Sequence, residues 1–436
     1  MKFYNREEEK ENLTRIKEKS IRNAQLTFMI GRRRIGKTRL IHDAFLNEKY
    51  LYFFVAKKSE KLLCEEFSLL IAEYTQKPLF GSFDRFSQLF GYLLELSTEQ
   101  PITIVIDEFQ EFFSVNPSVF SDMQRLWDGY RERSKMNLIC CGSIYSMMQK
   151  IFTDKKEPLF GRANNRLFIK PFSTDTLKQI MCENSADYTN KDLLAFFAIT
   201  GGVPKYVEHF VENEAFTFSR LLDVCMTENS MFLEEGRNVL IDEFGRDYVT
   251  YFSILSLIAS SKTSRPEIES IIGSSVGVYL EKLEQEFGLI KKLRPVFDKP
   301  GSRTVKYEIE DNFLNFWFRF IFKNKSAVEI GNFEFIKQII ERDFDVFSGK
   351  MLERYFKNQL AKSGKYSEIG CYWERGNLNE IDIIAINSLN KKIDCFEVKL
   401  NPSKINLADL EKKTNKLQTQ HPDYQFSFLG LSLVDL

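Results

Sequence analysis

The chain is 436 residues long, enough for two to four domains at roughly 150 residues each, so a single small module is excluded. Its hydrophobic fraction of 43% and charged fraction of 28% exclude wholesale disorder. With 61 basic residues against 61 acidic ones the net charge is zero, so any surface for nucleic acid or membrane has to be local.

The N-terminal stretch MKFYNREEEKENL is charged from its second residue, and no apolar run approaches the ~18 residues of a membrane span. A cytoplasmic protein with no membrane contact is expected. The seven cysteines contain no Cys-x-x-Cys pair and predict reduced thiols. His42, His209 and His421 are too scattered for a zinc site, and the 41 phenylalanines are most simply core.

In chain order, the apolar runs LTFMIG (26–31), LYFFV (51–55), ITIVIDE (102–108), LICCGS (138–143) and RLFIKPF (166–172) alternate with amphipathic helical stretches. That alternation predicts an α/β domain over 1–172 with a mainly parallel sheet. Residues 173–245 hold no strand-like run and read as a helical lid broken at Gly201, Gly202 and Pro204. Over 246–325 the helix FSILSLIAS is followed by a start signal at Ser264, Pro266 and Glu267, and then by a helix facing Val276, Leu280, Leu283 and Phe287 inward. GLIKKLRPVFDKPGSRTVKYEIED next predicts two strands around a Pro-Gly turn, so the order points to a winged helix-turn-helix. Residues 326–436 read as a second α/β unit, a helix (MLERYFKNQLAK) before the strands EIDIIAI and IDCFEVKL.

Gly31-Arg32-Arg33-Arg34-Ile35-Gly36-Lys37-Thr38 matches G-x-x-x-x-G-K-[ST] between a strand and a helix that continues with Arg39. Backbone N–H groups of such a loop wrap the phosphates of ATP, Lys37 reaches the β- and γ-phosphates, and Thr38 offers its hydroxyl to Mg2+. The strand ending in Asp107 and Glu108 supplies the rest: Asp107 can hold the metal, and Glu108 can accept a proton from the attacking water. Ser143 ends a third strand, where it either senses the γ-phosphate or is a plain loop serine.

FYNREEEKENL, GRRRIGKT, IVIDEFQEF, the CGS at a strand end, PLFGRA (158–163) and GGVPKYV (201–207) together resemble the archaeal-type ATPases of the AAA/STAND class, over about the first 320 residues. The resemblance implies that Asn5, Arg6 and Glu7 frame the adenine and that Pro204 of the lid contacts nucleotide. It also implies that Arg162 approaches a γ-phosphate in cis or from a neighbouring copy, with a structural arginine as the competing account.

On the C-terminal strands, Asp382 opens one, and Glu397 and Lys399 stand two residues apart on the next, so these two side chains share a face. A carboxylate with Glu-x-Lys can bind one or two Mg2+ or Mn2+ ions and leave the ammonium to orient a water. The pattern resembles the PD-(D/E)xK restriction-endonuclease-like domain, which implies an upstream helical carboxylate, here Glu353. Isoleucine stands where that pattern has proline before Asp382. A domain that has lost turnover and only binds a partner or nucleic acid is the alternative.

The segment from Lys291 to Lys306 carries Lys291, Lys292, Arg294, Lys299, Arg303 and Lys306 against the single acid Asp298, so it suits either DNA phosphates or a solvated, protein-packing hairpin. Together these features predict an ATPase whose nucleotide state gates a C-terminal nuclease-like domain acting on DNA. The alternatives are a signalling switch with a non-cleaving C-terminal domain, as a homo-oligomer or with a protein partner, and a plain nuclease assembled by its ATPase part.

Overall fold

The computed structural model describes residues 2, 4–79, 81–298, 301, 304–376 and 378–436; Lys299 and Arg303 of the basic segment lie outside them. The chain folds as two compact units, Lys2–Pro171 and Phe172–Leu436. Among the described residues no helix is long and apolar enough to cross a membrane.

The first unit is built on β1 (Gln25–Ile30), β2 (Leu51–Phe54), β3 (Ile102–Asp107), β4 (Met136–Gly142) and β5 (Asn165–Phe168), an all-parallel sheet in the order β2-β3-β4-β1-β5. Every residue of β1, β3 and β4 is buried, as a parallel sheet covered on both faces requires. Successive side chains feed opposite layers. Met29, Val105, Ile139 and Cys141 pack with Leu13, Leu40 and Ile41 of the helices Glu7–Ser20 and Lys37–Ala44. Phe28, Ile106, Leu138 and Cys140 pack on the other side with Phe67, Phe90, Trp127 and Phe152. Each such large apolar side chain contributes roughly 1.5–3 kcal/mol on burial. The predicted α/β domain with a parallel sheet is what the chain forms.

The second unit opens with five helices, Thr174–Asn184, Asn190–Thr200, Pro204–Glu212, Phe218–Cys225 and Met231–Phe244. Thr189 and Asp192 form a capping box at the start of the second helix, and Gly201 ends it at φ 59°. Gly202 follows at φ 73°, and a Cβ there would lie 2.4 Å from the Phe172 carbonyl, so only glycine fits. The helices Tyr248–Ala259, Arg265–Ile272 and Gly277–Gln285 come next, the middle one started by the Ser264/Glu267 capping box. They lead into β6 (Ile290–Leu293) and β7 (Lys306–Ile309), an antiparallel pair.

The helix predicted from 351 onward begins at Phe333 and runs to Lys362. Asn332 caps it, and Ile336, Ile340, Phe344, Phe347, Met351 and Tyr355 continue one buried face through Gly349. β8 (Glu368–Glu374), β9 (Leu378–Asn387), β10 (Lys392–Lys399), the helix Leu407–Gln420 and β11 (Gln425–Ser432) complete a sheet ordered β11-β10-β9-β8. β8, β9 and β10 are antiparallel neighbours, and β11 returns parallel to β10. Asp382 lies inside β9 instead of opening it, because β9 begins four residues earlier at Leu378.

The β6–β7 hairpin is docked on this sheet. Pro295 bridges to Cys371 of β8, and Val296 N–H donates to the Cys371 carbonyl at 2.9 Å. Arg354, on the long helix, holds the base of the hairpin. Its guanidinium donates to the Glu310 carbonyl at 3.0 Å, the Ile309 carbonyl at 2.6 Å and Asn312 Oδ1 at 2.5 Å, and pairs with the Glu308 carboxylate. Burial lowers its pKa to about 10. Replacing Arg354 by alanine leaves three acceptors and the partly exposed Glu308 carboxylate without this donor, with an expected cost of about 1–3 kcal/mol. A lowered urea midpoint checks this, and an unchanged midpoint would show that the hairpin is anchored without it.

Candidate nucleotide site and C-terminal carboxylate site

The loop after β1 is shaped by its two glycines for different reasons. Gly36, which starts the helix Lys37–Ala44, has φ 85°, and a Cβ there would meet no heavy atom within 4 Å. Gly31 is needed for packing, since its Cβ would lie 2.7 Å from Ile35 Cγ2 and 3.1 Å from Ile169 Cβ. Lys37 is buried at 8% exposure, and its ammonium donates to the Gly31 carbonyl at 2.6 Å and the Arg32 carbonyl at 3.4 Å. Burial lowers its pKa, opposed by the Glu108 and Asp107 carboxylates. Arg33, Arg34 and Arg39 are exposed on the same loop and helix, and Arg32 is half-buried.

Asp107 ends β3 with its carboxylate fully engaged. Oδ2 accepts from Thr38 Oγ1 at 3.3 Å and from the Tyr52 hydroxyl, and Oδ1 accepts from Glu108 N–H at 3.0 Å. Burial raises the Tyr52 phenol well above its ordinary pKa, and the neighbouring carboxylate adds to that. Thr38 hydroxyl and Asp107 carboxylate are hard oxygen donors of the kind Mg2+ takes, with phosphate oxygens and waters completing the shell. Glu108 has φ 52°, and its Oε2 accepts from Ser143 Oγ at 2.8 Å and from Gln110 Nε2.

The fold thus brings Lys37, Thr38, Asp107, Glu108 and Ser143 together at the C-terminal edge of the parallel sheet, where open α/β sheets bind ligands. Arg6, buried at 5%, donates to Lys170 O at 2.7 Å and to Glu9 Oε1 at 2.9 Å, and its N–H donates to Asn5 Oδ1. The Lys170 bond places Arg6 beside the end of β5. Arg162 is elsewhere. It pairs with Asp128 at 3.1 Å, and Asn164 N–H donates to the Leu26 carbonyl, so Arg162 sits at the N-terminal edge of the sheet. The expected approach to a phosphate of the same chain is therefore corrected: β1 separates the two edges. Pro204 belongs to the second unit, in the first turn of its helix.

In the second unit, Asp382 Oδ2 accepts from Val398 N–H at 2.9 Å and from Lys399 Nζ at 3.1 Å, and Lys399 lies 3.4 Å from Glu397 Oε1. Burial pulls the Lys399 ammonium down, yet the two carboxylates outweigh it and leave its pKa raised. Glu397 Oε2 accepts from Asn406 N–H at 2.8 Å, at the cap of the helix Leu407–Gln420, and Lys413 stands 3.9 Å from Oε1. The Glu353 carboxyl is raised by burial, with Asp382 and Glu380 adding to the effect and Lys357 and Lys350 opposing it. Among the described residues no three His, Cys, Asp or Glu side chains are grouped to hold a metal, so Glu353 does not join Asp382 and Glu397 in one ligand set. Lys306 of the hairpin pairs with Glu380 at 3.0 Å and lies over the Trp373 ring, so it is engaged in protein contacts.

Residues 3–210 match the family described as an ATPase domain predominantly from Archaea, and residues 317–414 match one described as Archaea bacterial proteins of unknown function. The uncharacterized protein MJECL04 of Methanocaldococcus jannaschii is 31% identical over 409 residues, covering 91% of this chain and 87% of that protein. The chain belongs to the MJECL04 family. Its N-terminal part is an archaeal P-loop ATPase domain. Among solved structures, the Walker-type ATPase PABY2304 of Pyrococcus abyssi aligns with TM-score 0.54 at 20% identity, covering 72% of this chain and 96% of that one. The Aeropyrum pernix ORC2 protein, solved in ADPNP and ADP complexes, aligns with TM-score 0.50 at 15% identity, covering 76% and 95%. Both share the fold.

Sequence reasoning passed over Tyr52, Gln110, Asn406 and Lys413 in this family member. Only Gln110 carries a sequence signal, its place two residues after Glu108. Tyr52 tests the Asp107 cluster: Tyr52→Phe removes one donor to a buried carboxylate, with an expected loss of about 1.5–3 kcal/mol. A urea midpoint equal to that of the unaltered protein would mean that Thr38 and the Glu108 N–H suffice.

Proposed function

We propose that this protein hydrolyses ATP at the Lys37–Glu108 site and that its nucleotide state controls a nuclease-like C-terminal domain acting on DNA. The convergence of Lys37, Thr38, Asp107, Glu108 and Ser143 at one sheet edge carries this reading. Lys37 holds the β- and γ-phosphates, Thr38 and Asp107 hold Mg2+, and Mg2+ when bound neutralises phosphate charge. Glu108 takes the proton of the water that attacks the γ-phosphorus, while the bond to the β-phosphate oxygen breaks and ADP leaves. Arg162, on the far edge, serves a neighbouring copy in this reading, which makes the active species an oligomer.

The finer division is a P-loop core over 1–172, a lid over 173–245, a winged helix over 246–325 and a nuclease-like domain over 326–436. The order helix, β8, β9, β10, helix, β11, with Asp382 on β9 and Glu397 and Lys399 on β10, supports the last of these. Exposed Lys291 and Arg294 on the hairpin suit DNA phosphates. A second reading, a non-cleaving binding domain, is favoured by one observation: Lys399 already bridges Asp382 and Glu397, as in a structural ion-pair network.

Two experiments follow. Lys37→Ala is expected to abolish ATP binding, whereas Glu108→Gln binds ATP and loses about 10²–10⁴-fold in kcat; equal hydrolysis by Glu108→Gln and the unaltered protein would remove Glu108 from the mechanism. At the C-terminal site, Glu397→Ala is expected to lose Mn2+ binding and DNA cleavage together, while Lys399→Ala keeps the metal and loses cleavage. Absence of both metal binding by calorimetry and cleavage of any DNA or RNA by the unaltered protein would establish the binding-domain reading instead.

A further inference from the structure

Glu108 receives both of its side-chain donors on one oxygen. Ser143 Oγ donates to Oε2 at 2.8 Å, and Gln110 Nε2 donates to the same atom. Gln110 is fully buried, and its own Oε1 has no hydrogen-bond partner among the described residues. An unmet buried acceptor costs about 1–3 kcal/mol, a cost an apolar residue of similar volume would avoid. Stability therefore does not account for a glutamine here.

The end of β4 closes on this amide. A Cβ at Gly142 would lie 2.3 Å from Gln110 Oε1 and 2.4 Å from Met148 Cγ, so only glycine lets the strand come this close and the amide has no room to swing away. Glu108 itself sits in the left-handed region at φ 52°, a conformation that a residue other than glycine keeps where its surroundings impose it.

We propose that Gln110 is a positioning residue for ATP hydrolysis: with Ser143 it pins Glu108 Oε2, so that Oε1 is the atom offered to the attacking water. This rests on the ATPase reading above. The amide acts through the carboxylate and makes no contact with phosphate, so its loss is felt in turnover and not in nucleotide binding.

The test uses Gln110→Leu in the full chain, with Gln110→Met as a second apolar variant of matching length, each checked for folding by thermal melting. Affinity for a fluorescent ATP analogue and KM are expected to stay within about twofold, since ground-state binding is untouched. The kcat is expected to fall about 10²-fold, the scale of misaligning a reacting group. Adding Gln110→Leu to Glu108→Gln is expected to cost nothing further, because both changes act on one carboxylate. Wild-type kcat in a folded variant, an added loss in the Glu108→Gln background, or failure of both variants to fold would overturn the inference. If the unaltered protein binds or hydrolyses no ATP, the ATPase reading falls first, and the positioning role falls with it.

Discussion

A charge moved out of water needs a partner, and both units are organised around that requirement. In the first unit, Lys37 and Asp107 are buried at 8% and 6% exposure. Lys37 lies on the Gly31 and Arg32 carbonyls, and Asp107 draws in the Thr38 and Tyr52 hydroxyls and the Glu108 N–H. The loop after β1 is thereby tied to the end of β3, although β4 lies between those strands in the sheet. In the second unit Arg354 imposes the same demand and collects the hairpin base and Asn312 around one helix.

The two lysines of interest meet the requirement differently, and the difference has chemical weight. Lys37 donates to neutral carbonyl oxygens, while the Glu108 and Asp107 carboxylates near it oppose the lowering of its pKa by burial. Lys399 is shared by Asp382 and Glu397, whose two negative charges outweigh its one. A cation entering between those carboxylates would have to displace the ammonium, which would then be released to face a phosphate. Under the proposed function, metal binding there would be coupled to release of the Lys399 ammonium from both carboxylates.

Much of this was legible in the sequence where local pattern dictates structure. Fully apolar runs such as Ile102–Ile106 mark buried parallel strands, and the spacing of Gly31, Gly36, Lys37 and Thr38 marks the loop because few other residues permit its backbone. β8 and β11 escaped the eye because their residues are largely half-exposed, so neither shows a buried run. The early start of the long helix was hidden by Gly349 and by aromatic residues spaced for a helix but not separated by a stop signal. The position of Arg162 depends on the register of β5 against β1, and the docking of the hairpin on β8 depends on tertiary packing. Neither is encoded in a nearby run of residues. Gln110 was visible as a letter, yet its role needs Gly142 and Ser143, which arrive from another strand.

The helix Phe333–Lys362 joins the parts of the second unit that the sequence separates. At its C-terminal end Gln359 donates to Thr174 Oγ1 and Asp175 Oδ1, and Lys362 pairs with Asp175, so it grips the helix Thr174–Asn184. Five residues before Gln359, Arg354 binds the hairpin and Asn312, and Asn312 in turn donates to the Phe197 carbonyl of the helix Asn190–Thr200. Its neighbour Glu353 stands in the field of Asp382. Leu433 and Leu436 return to the same two helices, through Lys178 on the Leu436 carbonyl and Asn190 on the Leu433 carbonyl. One helix and the segment after β11 thus hold the first two helices of the second unit to its C-terminal sheet.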